Sequence, residues 1–373
     1  MNKIAIIGGG IGGLTIANCF HKNNIEFHLF EQAPQLSEVG AGIGLSKSVM
    51  ELLDKIDLAE ELISNGSFIK YASITDKYLK VRRDLPVELD SICIHRAKLI
   101  DILKSNLPSH LITLNKKVIR INQKKQKTVI NFEDGSSDEF DIVVVADGIH
   151  STIRKQLFPG IQIRYSNQII FRGITDIEIP NKYQNRFVEA WDDKKRFLFV
   201  PLGQNRIFWL AVIKGKPNSE KKTLKDVLFD FDSFSPFAKK LISESSNLIQ
   251  NDLADLGGFY RSWFKDNVVF LGDSIHATTP NLAQGGCQAI EDAFALSKTL
   301  IDSNFESKTA FKHYQKIRNK KAMHVVNTSW KIGRMAHADS NILYFINKLS
   351  WNLIPNRYFK KNENFLNDIS YLN

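Results

Sequence analysis

The sequence predicts an α/β fold in which a parallel, helix-covered sheet carries an inserted, mostly antiparallel sheet and the chain ends in helices. Three observations predict it. The segment Lys3-Ile-Ala-Ile-Ile-Gly-Gly-Gly-Ile-Gly-Gly-Leu-Thr15 runs a short apolar strand into a glycine-rich turn and a helix. Two later apolar strands, Asp141-Ile-Val-Val-Val-Ala146 and Asn267-Val-Val-Phe-Leu271, lead into Asp-Gly and Gly-Asp, the pattern of parallel strands buried on both faces. Between them, residues from about 161 to 264 read as aromatic and β-branched segments of antiparallel strands.

Each element follows in order. The spacing Gly8-x-Gly10-x-x-Gly13 gives the glycines separate tasks: a tight turn, close backbone approach to a pyrophosphate, and close packing of helix on strand. The helix N-terminus presents unpaired N–H groups and a positive dipole end to phosphate. A helix from Leu14 to Asn24 leads to the strand Glu26-Phe-His-Leu-Phe30, closed by Glu31. Glu31 lies about 20 residues beyond Gly10, where a Rossmann-like fold places the carboxylate that binds a ribose diol. The motif therefore reads as a dinucleotide site.

The loop Glu38-Val-Gly-Ala-Gly-Ile-Gly-Leu45 is again glycine-rich and predicts backbone lying against a ligand or a second backbone. A helix follows through Val49, Leu52, Leu53 and Ile56, then strands from about 67 to 94, then a helix from Arg96 to Leu107. Arg96 at that helix start opposes the dipole, and a side chain reaching solvent explains it as readily as a functional one. A β-meander spans about 118 to 145 and ends at Asp147-Gly148, with helical onset by Ser151 and Arg154. In the second sheet, Gln168-Ile-Ile-Phe-Arg-Gly173, Arg196-Phe-Leu-Phe-Val200 and Arg206-Ile-Phe-Trp-Leu-Ala-Val212 are strands, interrupted by a helical stretch from Leu224 to Ser243. After Gly272-Asp273 and a loop holding Pro280, the segment Ala283-Gln-Gly-Gly-Cys-Gln-Ala-Ile-Glu-Asp-Ala293 heads a long helix with a second glycine turn.

Bulk properties narrow the function. The chain has 373 residues, 43% of them hydrophobic, with 50 Lys and Arg against 40 acidic residues and a net charge of +10. The excess is spread out, so no nucleic-acid-binding tract is expected, and the clusters Lys116-Lys117, Lys124-Lys125 and Lys194-Lys195-Arg196 read as solvated turns. Cys19, Cys93 and Cys287 form no C-x-x-C pair, which argues against a disulfide scaffold, a structural zinc and a dithiol relay. With no signal-peptide core and no bilayer-spanning stretch, a reduced, cytoplasmic protein is expected.

Taken together, the glycine turn with Glu31, the segment Ala146-Asp-Gly-Ile-His-Ser-Thr-Ile-Arg154 and the segment Leu271-Gly-Asp-Ser-Ile-His-Ala-Thr-Thr-Pro280 resemble the single-component (class A) FAD-dependent aromatic hydroxylases. The likeness is to the p-hydroxybenzoate hydroxylase fold and, within it, to the branch of urate hydroxylase and zeaxanthin epoxidase. It covers about residues 1 to 330 and implies a discontinuous FAD-binding domain: 1–70, then a strand excursion over 71–95, then 96–160 and 265–330. An inserted substrate sheet occupies 161–264 and a helical tail 331–373. By that resemblance Gly8, Gly10, Gly13 and Glu31 hold the ADP half of FAD, Arg96 reaches its phosphates, and Val118 touches adenine. Asp147 is similar to a residue serving both pyrophosphate contacts and nicotinamide use, Asp273 binds the ribityl chain, and Gly285 and Gly286 aim N–H groups at the flavin pyrimidine. Pro280, in the loop before them, joins this set. The family often has Gly-Gln-Gly where this chain has Ala283-Gln284-Gly285, and alanine tolerates a positive φ poorly. Either that conformation is not needed here or the loop is shifted.

The implied chemistry is transient NAD(P)H binding, hydride transfer to FAD, reaction with O₂ to a flavin C4a-hydroperoxide, and hydroxylation or epoxidation of a small aromatic or unsaturated substrate. Arg172, on the Phe171-Arg-Gly173 strand, is the candidate for orienting that substrate, and an outward-facing strand Arg is the alternative. His276 is a weaker candidate base, more simply a loop residue packed on Pro280, and Cys287 reads as a small packing residue. A halogenase lacks support, since no W-x-W-x-I-P pattern surrounds any tryptophan. A dehydrogenase or reductase of the same fold remains an alternative, as does a flavin-binding sensor or peripheral membrane protein. For the latter, the tail Asn341 to Trp351 places positions 342, 345, 346 and 349 on one helical face, a pattern that suits a membrane surface and packing on the FAD domain equally well, with packing the favoured reading.

Overall fold

The strand Ile4–Ile7 is buried along its length and lies in the middle of a six-stranded sheet. In the computed structural model, which describes residues 2–36, 41–88, 90–124, 127–192, 194–257, 262–338, 340, 342, 344 and 354–372, it pairs in parallel with Ile142–Val145 on one side and Phe27–Phe30 on the other. Val268–Phe270 adds a parallel strand beyond Ile142–Val145, Ile112–Thr113 one beyond Phe27–Phe30, and Phe264–Lys265 an antiparallel edge. Adjacency of Ile4–Ile7, Ile142–Val145 and Val268–Phe270 is the topological fact that matters. Because the three are parallel neighbours, Gly8, Asp147 and Asp273 emerge side by side at their carboxyl ends, where open α/β sheets bind ligands.

The first helix is Ile11–Lys22, three residues ahead of the expected start, with Gly12 and Gly13 inside it. Packing overrides the poor helix propensity of glycine, since both glycines are buried in the core face. Gly285–Asp302 packs beside this helix, and Ser307–Ala336 packs on Gly285–Asp302 in turn.

The second sheet has seven strands in the order Ile249–Asp255, Arg164–Asp176, Arg206–Lys214, Lys195–Pro201, Arg186–Asp192, Tyr71–Thr75 and Val81–Pro86. All pairings are antiparallel except that between Arg186–Asp192 and Tyr71–Thr75. Strand alternation divides its side chains cleanly. Phe171, Phe197, Phe199 and Trp209 form one buried face with Val227, Leu241 and Ile242 from two helices. These helices, Leu224–Asp230 and Pro236–Ser243, replace the single helical stretch expected from Leu224 to Ser243. The break is capped on its far side by Ser235, ahead of Pro236, while Thr223 and Asp226 form a capping box on the first helix. The alternate residues, including Ile170, Arg172, Leu198 and Leu210, face the six-stranded sheet.

Two smaller sheets complete the layers. Val118–Gln123, Thr128–Phe132 and Ser137–Phe140 are the expected meander, but Ile142–Val145 leaves it for the parallel sheet. Gly42–Leu45, expected as loop, is a strand paired with Ile92–His95, which also takes Ser67–Phe68. Glu38, Val39 and Gly40 of that glycine-rich segment lie outside the described residues, as do positions 345, 346 and 349 of the tail. The tail that is described packs on the body: in the helix Asn356–Asn367, Phe359 lies 4.8 Å from the Arg83 guanidinium and Glu363 accepts from the Glu88 backbone N–H at 2.9 Å. No helix among the described residues is long and apolar enough to cross a membrane.

Candidate functional site

A cavity of about 780 Å³ opens between the carboxyl ends of the parallel strands and the inward face of the seven-stranded sheet. Gly8, Gly10, Glu31, Arg96, Val118, Asp147, Arg172, Asp273, Pro280, Gly285 and Gly286 all line it, residues drawn from segments far apart in sequence. Gly13 is the one expected cofactor residue outside the lining, and its place is in the packing beneath.

The glycine turn is built by contact distances. A Cβ on Gly13 would stand 1.9 Å from the Gly8 carbonyl oxygen, so only glycine lets helix and turn meet. Gly8 adopts φ +105°. A Cβ on Gly10, by contrast, would meet no protein atom within 4 Å, because that position faces the cavity. Gly10 caps the helix Ile11–Lys22 with no side-chain hydrogen bond and no acidic residue in the first turn, leaving N–H groups directed at open space. Glu31 closes the turn: its Oε2 accepts from the Gly9 N–H at 2.6 Å and its Oε1 from the Ala33 N–H at 2.8 Å. The carboxylate is thus held rigidly at the rim with acceptor capacity left for a diol.

The next two strands deliver acids. Asp147 Oδ1 is buried and has no hydrogen-bond partner. Burial pushes its carboxyl up to about 6, against the pull of Ser151 and Arg154. An orphaned carboxyl oxygen at a cavity wall, on a group whose protonated form burial favours, calls for a hydrogen-bond partner on a bound group. Arg154, wholly buried, braces the turn by donating to the Ser274 carbonyl at 2.7 Å and so ties the Asp-Gly segment to the Gly-Asp segment. Asp273 is exposed to the cavity and enclosed by protein on its other sides. That enclosure raises its carboxyl, with His276 and Arg96 opposing. Arg96 lines the same cavity, and the N-terminus of its helix is capped by His95, whose Nδ1 accepts from the Ala97 N–H at 3.1 Å.

The second glycine turn starts the helix Gly285–Asp302, again with no side-chain cap. Just before it, Ala283 closes the 3-10 turn Pro280–Leu282 in the left-handed region at φ +52°, ψ 31°. The conformation is therefore needed here, and alanine adopts it at a cost. Ala283→Gly is expected to stabilise the protein by about 0.5–1 kcal/mol, the strain relieved less the extra chain entropy of glycine. An unchanged denaturation midpoint would show that the turn carries no strain.

The roof of the cavity was only partly legible. Arg172 faces inward, and a terminal nitrogen donates to the Asn251 side-chain oxygen on the neighbouring strand. Around the pair stand Phe187, Leu198, Val200, Phe208 and Leu210. Asn251 and these apolar residues escaped the sequence reading. Alternation marks them as one face of a sheet, but nothing local says that the face lines a cavity.

Two expectations need correction. His276 is not among the residues that line the cavity, and its partners, Asp292 and Trp263, lie away from the Pro280 loop. It is 3% exposed, hydrogen-bonded through Nε2 to Asp292 and 5.0 Å from the Trp263 ring. Arg196, taken as part of a solvated cluster, is buried and paired with Glu189, because the strand Lys195–Pro201 turns it inward. Val118 does line the cavity, although it is only 8% exposed and works largely as core. Cys287 is the expected packing residue, with burial pushing its thiol up to about 11.

Comparison with known proteins places this geometry. A family model described as FAD binding domain matches residues 1–329. The chain is 30% identical to the aurachin C monooxygenase/isomerase of Stigmatella aurantiaca, over 89% of each protein. It is 26% identical to the 2-heptyl-3-hydroxy-4(1H)-quinolone synthase of Pseudomonas aeruginosa, over 95% of this chain and 94% of that one. Among solved structures, Klebsiella pneumoniae HpxO complexed with FAD and uric acid superposes with a TM-score of 0.89 at 20% identity, covering 99% of this chain and 98% of the other, a likeness of fold.

Proposed function

Because the chain belongs to the FAD binding domain family, we propose that it is an FAD-dependent monooxygenase that uses NAD(P)H and O₂ to hydroxylate or epoxidise an aromatic or unsaturated substrate. The observation that carries this reading is one continuous cavity with two different ends. One end has two uncapped, glycine-headed helix starts and the orphaned Asp147 oxygen. The other has an apolar sheet face on which, among the described residues, one cation, Arg172, is hydrogen-bonded to Asn251.

In this reading FAD lies along the first end. Gly8 and Gly10 admit the pyrophosphate, Arg96 and Asp147 reach it, Glu31 takes the adenosine ribose and Val118 the adenine. Asp273 holds the ribityl chain, and Pro280, Gly285 and Gly286 border the isoalloxazine. The FAD-binding portion is then discontinuous, over 1–70, 96–160 and 265–330, with 161–264 as the substrate layer. Bound flavin supplies the redox chemistry, with NAD(P)H as reductant and O₂ as oxidant. The balance is substrate–H plus NAD(P)H, H⁺ and O₂ giving substrate–OH, NAD(P)⁺ and water.

The protein's own residues bind, orient and exclude water. N–H groups at Gly285 and Gly286, at a helix start with no side-chain cap, would stabilise negative charge on a bound reduced flavin, since preorganised donors do so at little reorganisation cost. Phe187, Leu198, Val200, Phe208 and Leu210 keep the far end dry, while Arg172, steadied by Asn251, holds a substrate oxygen. A cation amid apolar walls fits an aromatic ring bearing an anionic or keto oxygen and an apolar extension. One sequence relative is named for such a molecule, a 2-heptyl-3-hydroxy-4(1H)-quinolone. With three buried free thiols, the protein fits a reducing cytoplasm.

Turnover under ¹⁸O₂ tests the reading: label in the product supports a monooxygenase, whereas substrate oxidation without label indicates a dehydrogenase of the same fold. Arg172→Met is expected to lower kcat/KM for substrate-stimulated NAD(P)H oxidation by roughly 10- to 100-fold, the loss of one charge-assisted hydrogen bond, with FAD content intact. Unchanged coupled turnover would remove Arg172 from substrate binding.

A further inference from the structure

Behind the cavity lies a buried ionic cluster that the proposed chemistry does not use. Glu291, Asp292 and Arg318 are completely buried and Lys321 is 4% exposed. Arg318 is the hub. Its Nε donates to Asp292 Oδ1 at 2.7 Å, one terminal nitrogen to Glu291 Oε2 at 2.7 Å and to the Tyr371 hydroxyl at 2.6 Å, and the other to Gln288 Oε1 at 2.7 Å. Lys321 donates to both Glu291 oxygens, at 2.9 and 2.8 Å, and to the Asp368 carbonyl at 3.1 Å. The Tyr371 hydroxyl in turn donates to Glu291. Two cations thus face two carboxylates with their hydrogen-bonding capacity well used.

Such a cluster is a poor source of net stability, since apolar residues of similar volume do as well in many proteins; what a satisfied network supplies is a fixed arrangement. Here it fixes two segments against each other. Asp292 Oδ2 accepts from the Gly272 backbone N–H at 2.9 Å and from His276. Gly272 sits at φ +59°, ψ −140°, a conformation that side-chain-bearing residues rarely adopt, and the chain passes directly from it into Asp273. Gln288, Glu291 and Asp292 belong to the helix that begins at Gly285. The cluster therefore joins the Gly272–Asp273 turn to the Gly285–Gly286 helix start, and its outer wall is the turn Ser370–Leu372, which lines no part of the cavity.

We propose that Asp292, oriented by Arg318, whose guanidinium is itself held by the Tyr371 hydroxyl, is a positioning residue for FAD, so that flavin affinity depends on the distant segment 368–372. The inference rests on the FAD reading of the cavity. It is tested by stripping flavin from wild type, Asp292→Ala, Tyr371→Phe and Lys360→Ala, then titrating FAD against each and following flavin fluorescence. Thermal midpoints of the apoproteins are recorded alongside. Lys360→Ala removes that side chain's ion pairs, one to Glu88 and one within its own helix to Glu363, and leaves the cluster intact.

The expected result is a 10- to 100-fold weaker FAD dissociation constant for Asp292→Ala, of the size seen when groups supporting a site's ligands are removed, and about three- to tenfold for Tyr371→Phe. Lys360→Ala should bind FAD as wild type does. Should Asp292→Ala fail to fold, Tyr371→Phe decides. Lower apoprotein midpoints with unchanged FAD affinity would make the cluster purely structural and overturn the proposal. If wild type itself does not bind FAD, the site reading falls and takes this inference with it.

Discussion

Gly13→Ala is expected to yield protein with little or no bound FAD and to cost about 3 kcal/mol of stability, at the upper end of the range for overpacking a tight contact. The reason is local and geometric. The added Cβ would fall 1.9 Å from the Gly8 carbonyl oxygen and 3.1 Å from its carbon, and both are backbone atoms. No rotamer relieves that clash. Gly8 cannot yield readily either: its N–H is bound to the Phe30 carbonyl at 2.8 Å, and a Cβ of its own would stand 2.5 Å from the Ala146 carbonyl oxygen. The helix Ile11–Lys22 must therefore lift away from the turn. Its N–H groups move with it, away from where the pyrophosphate is proposed to sit. Flavin absorbance per protein and the denaturation midpoint of the purified variant measure the two losses separately. A variant with normal flavin content and an unshifted midpoint would show that the contact is slack, and that Gly13 does not set the helix position. Gly10→Ala gives the useful contrast. No protein atom opposes a Cβ there, so the apoprotein should keep its stability while flavin affinity falls.

That contrast shows what was legible in the sequence. The glycine spacing carries its own geometry, because each position answers to backbone contacts within one βαβ unit, so the turn, Glu31 and the helix could be read locally. Asp147 and Asp273 were legible because each ends an all-apolar strand, and such strands belong in a parallel sheet. Arg196 shows the limit. In sequence it stands beside Lys194 and Lys195, yet strand alternation turns it inward to Glu189, and no composition rule separates that from a solvated cluster. The loop expected around Gly42 became a strand for a similar reason: its partner, Ile92–His95, lies about 50 residues away. Asn251, the apolar roof and the ionic cluster around Arg318 depend entirely on which distant strands and helices meet. The α/β class and the cofactor end of the cavity come from short-range constraints, while the substrate end comes from long-range ones.

Arg318→Met carries the other large effect, an expected loss of about 3–5 kcal/mol, because it leaves two buried carboxylates with half their compensation. The pH dependence identifies the cause. Burial alone would raise the Asp292 carboxyl, but the charges and hydrogen bonds of His276 and Arg318 outweigh it and hold the group at about 2, below its ordinary 3.8. In wild type, then, the ionised form is favoured by folding. Its contribution is present above the unfolded value of 3.8 and is lost as pH falls through about 2. Without Arg318 the burial effect gains weight and the folded carboxyl moves upward. The variant's buried acid then destabilises the fold at neutral pH and is relieved as it takes up a proton. The stability gap between wild type and Arg318→Met should therefore be widest near neutrality and narrow as pH falls through about 4 toward 2. A gap of constant size would point to lost packing volume instead of charge. Adding Asp292→Asn to Arg318→Met should recover part of the loss, since it removes the uncompensated carboxylate that the single variant leaves behind, and a fully additive double variant would contradict the electrostatic account.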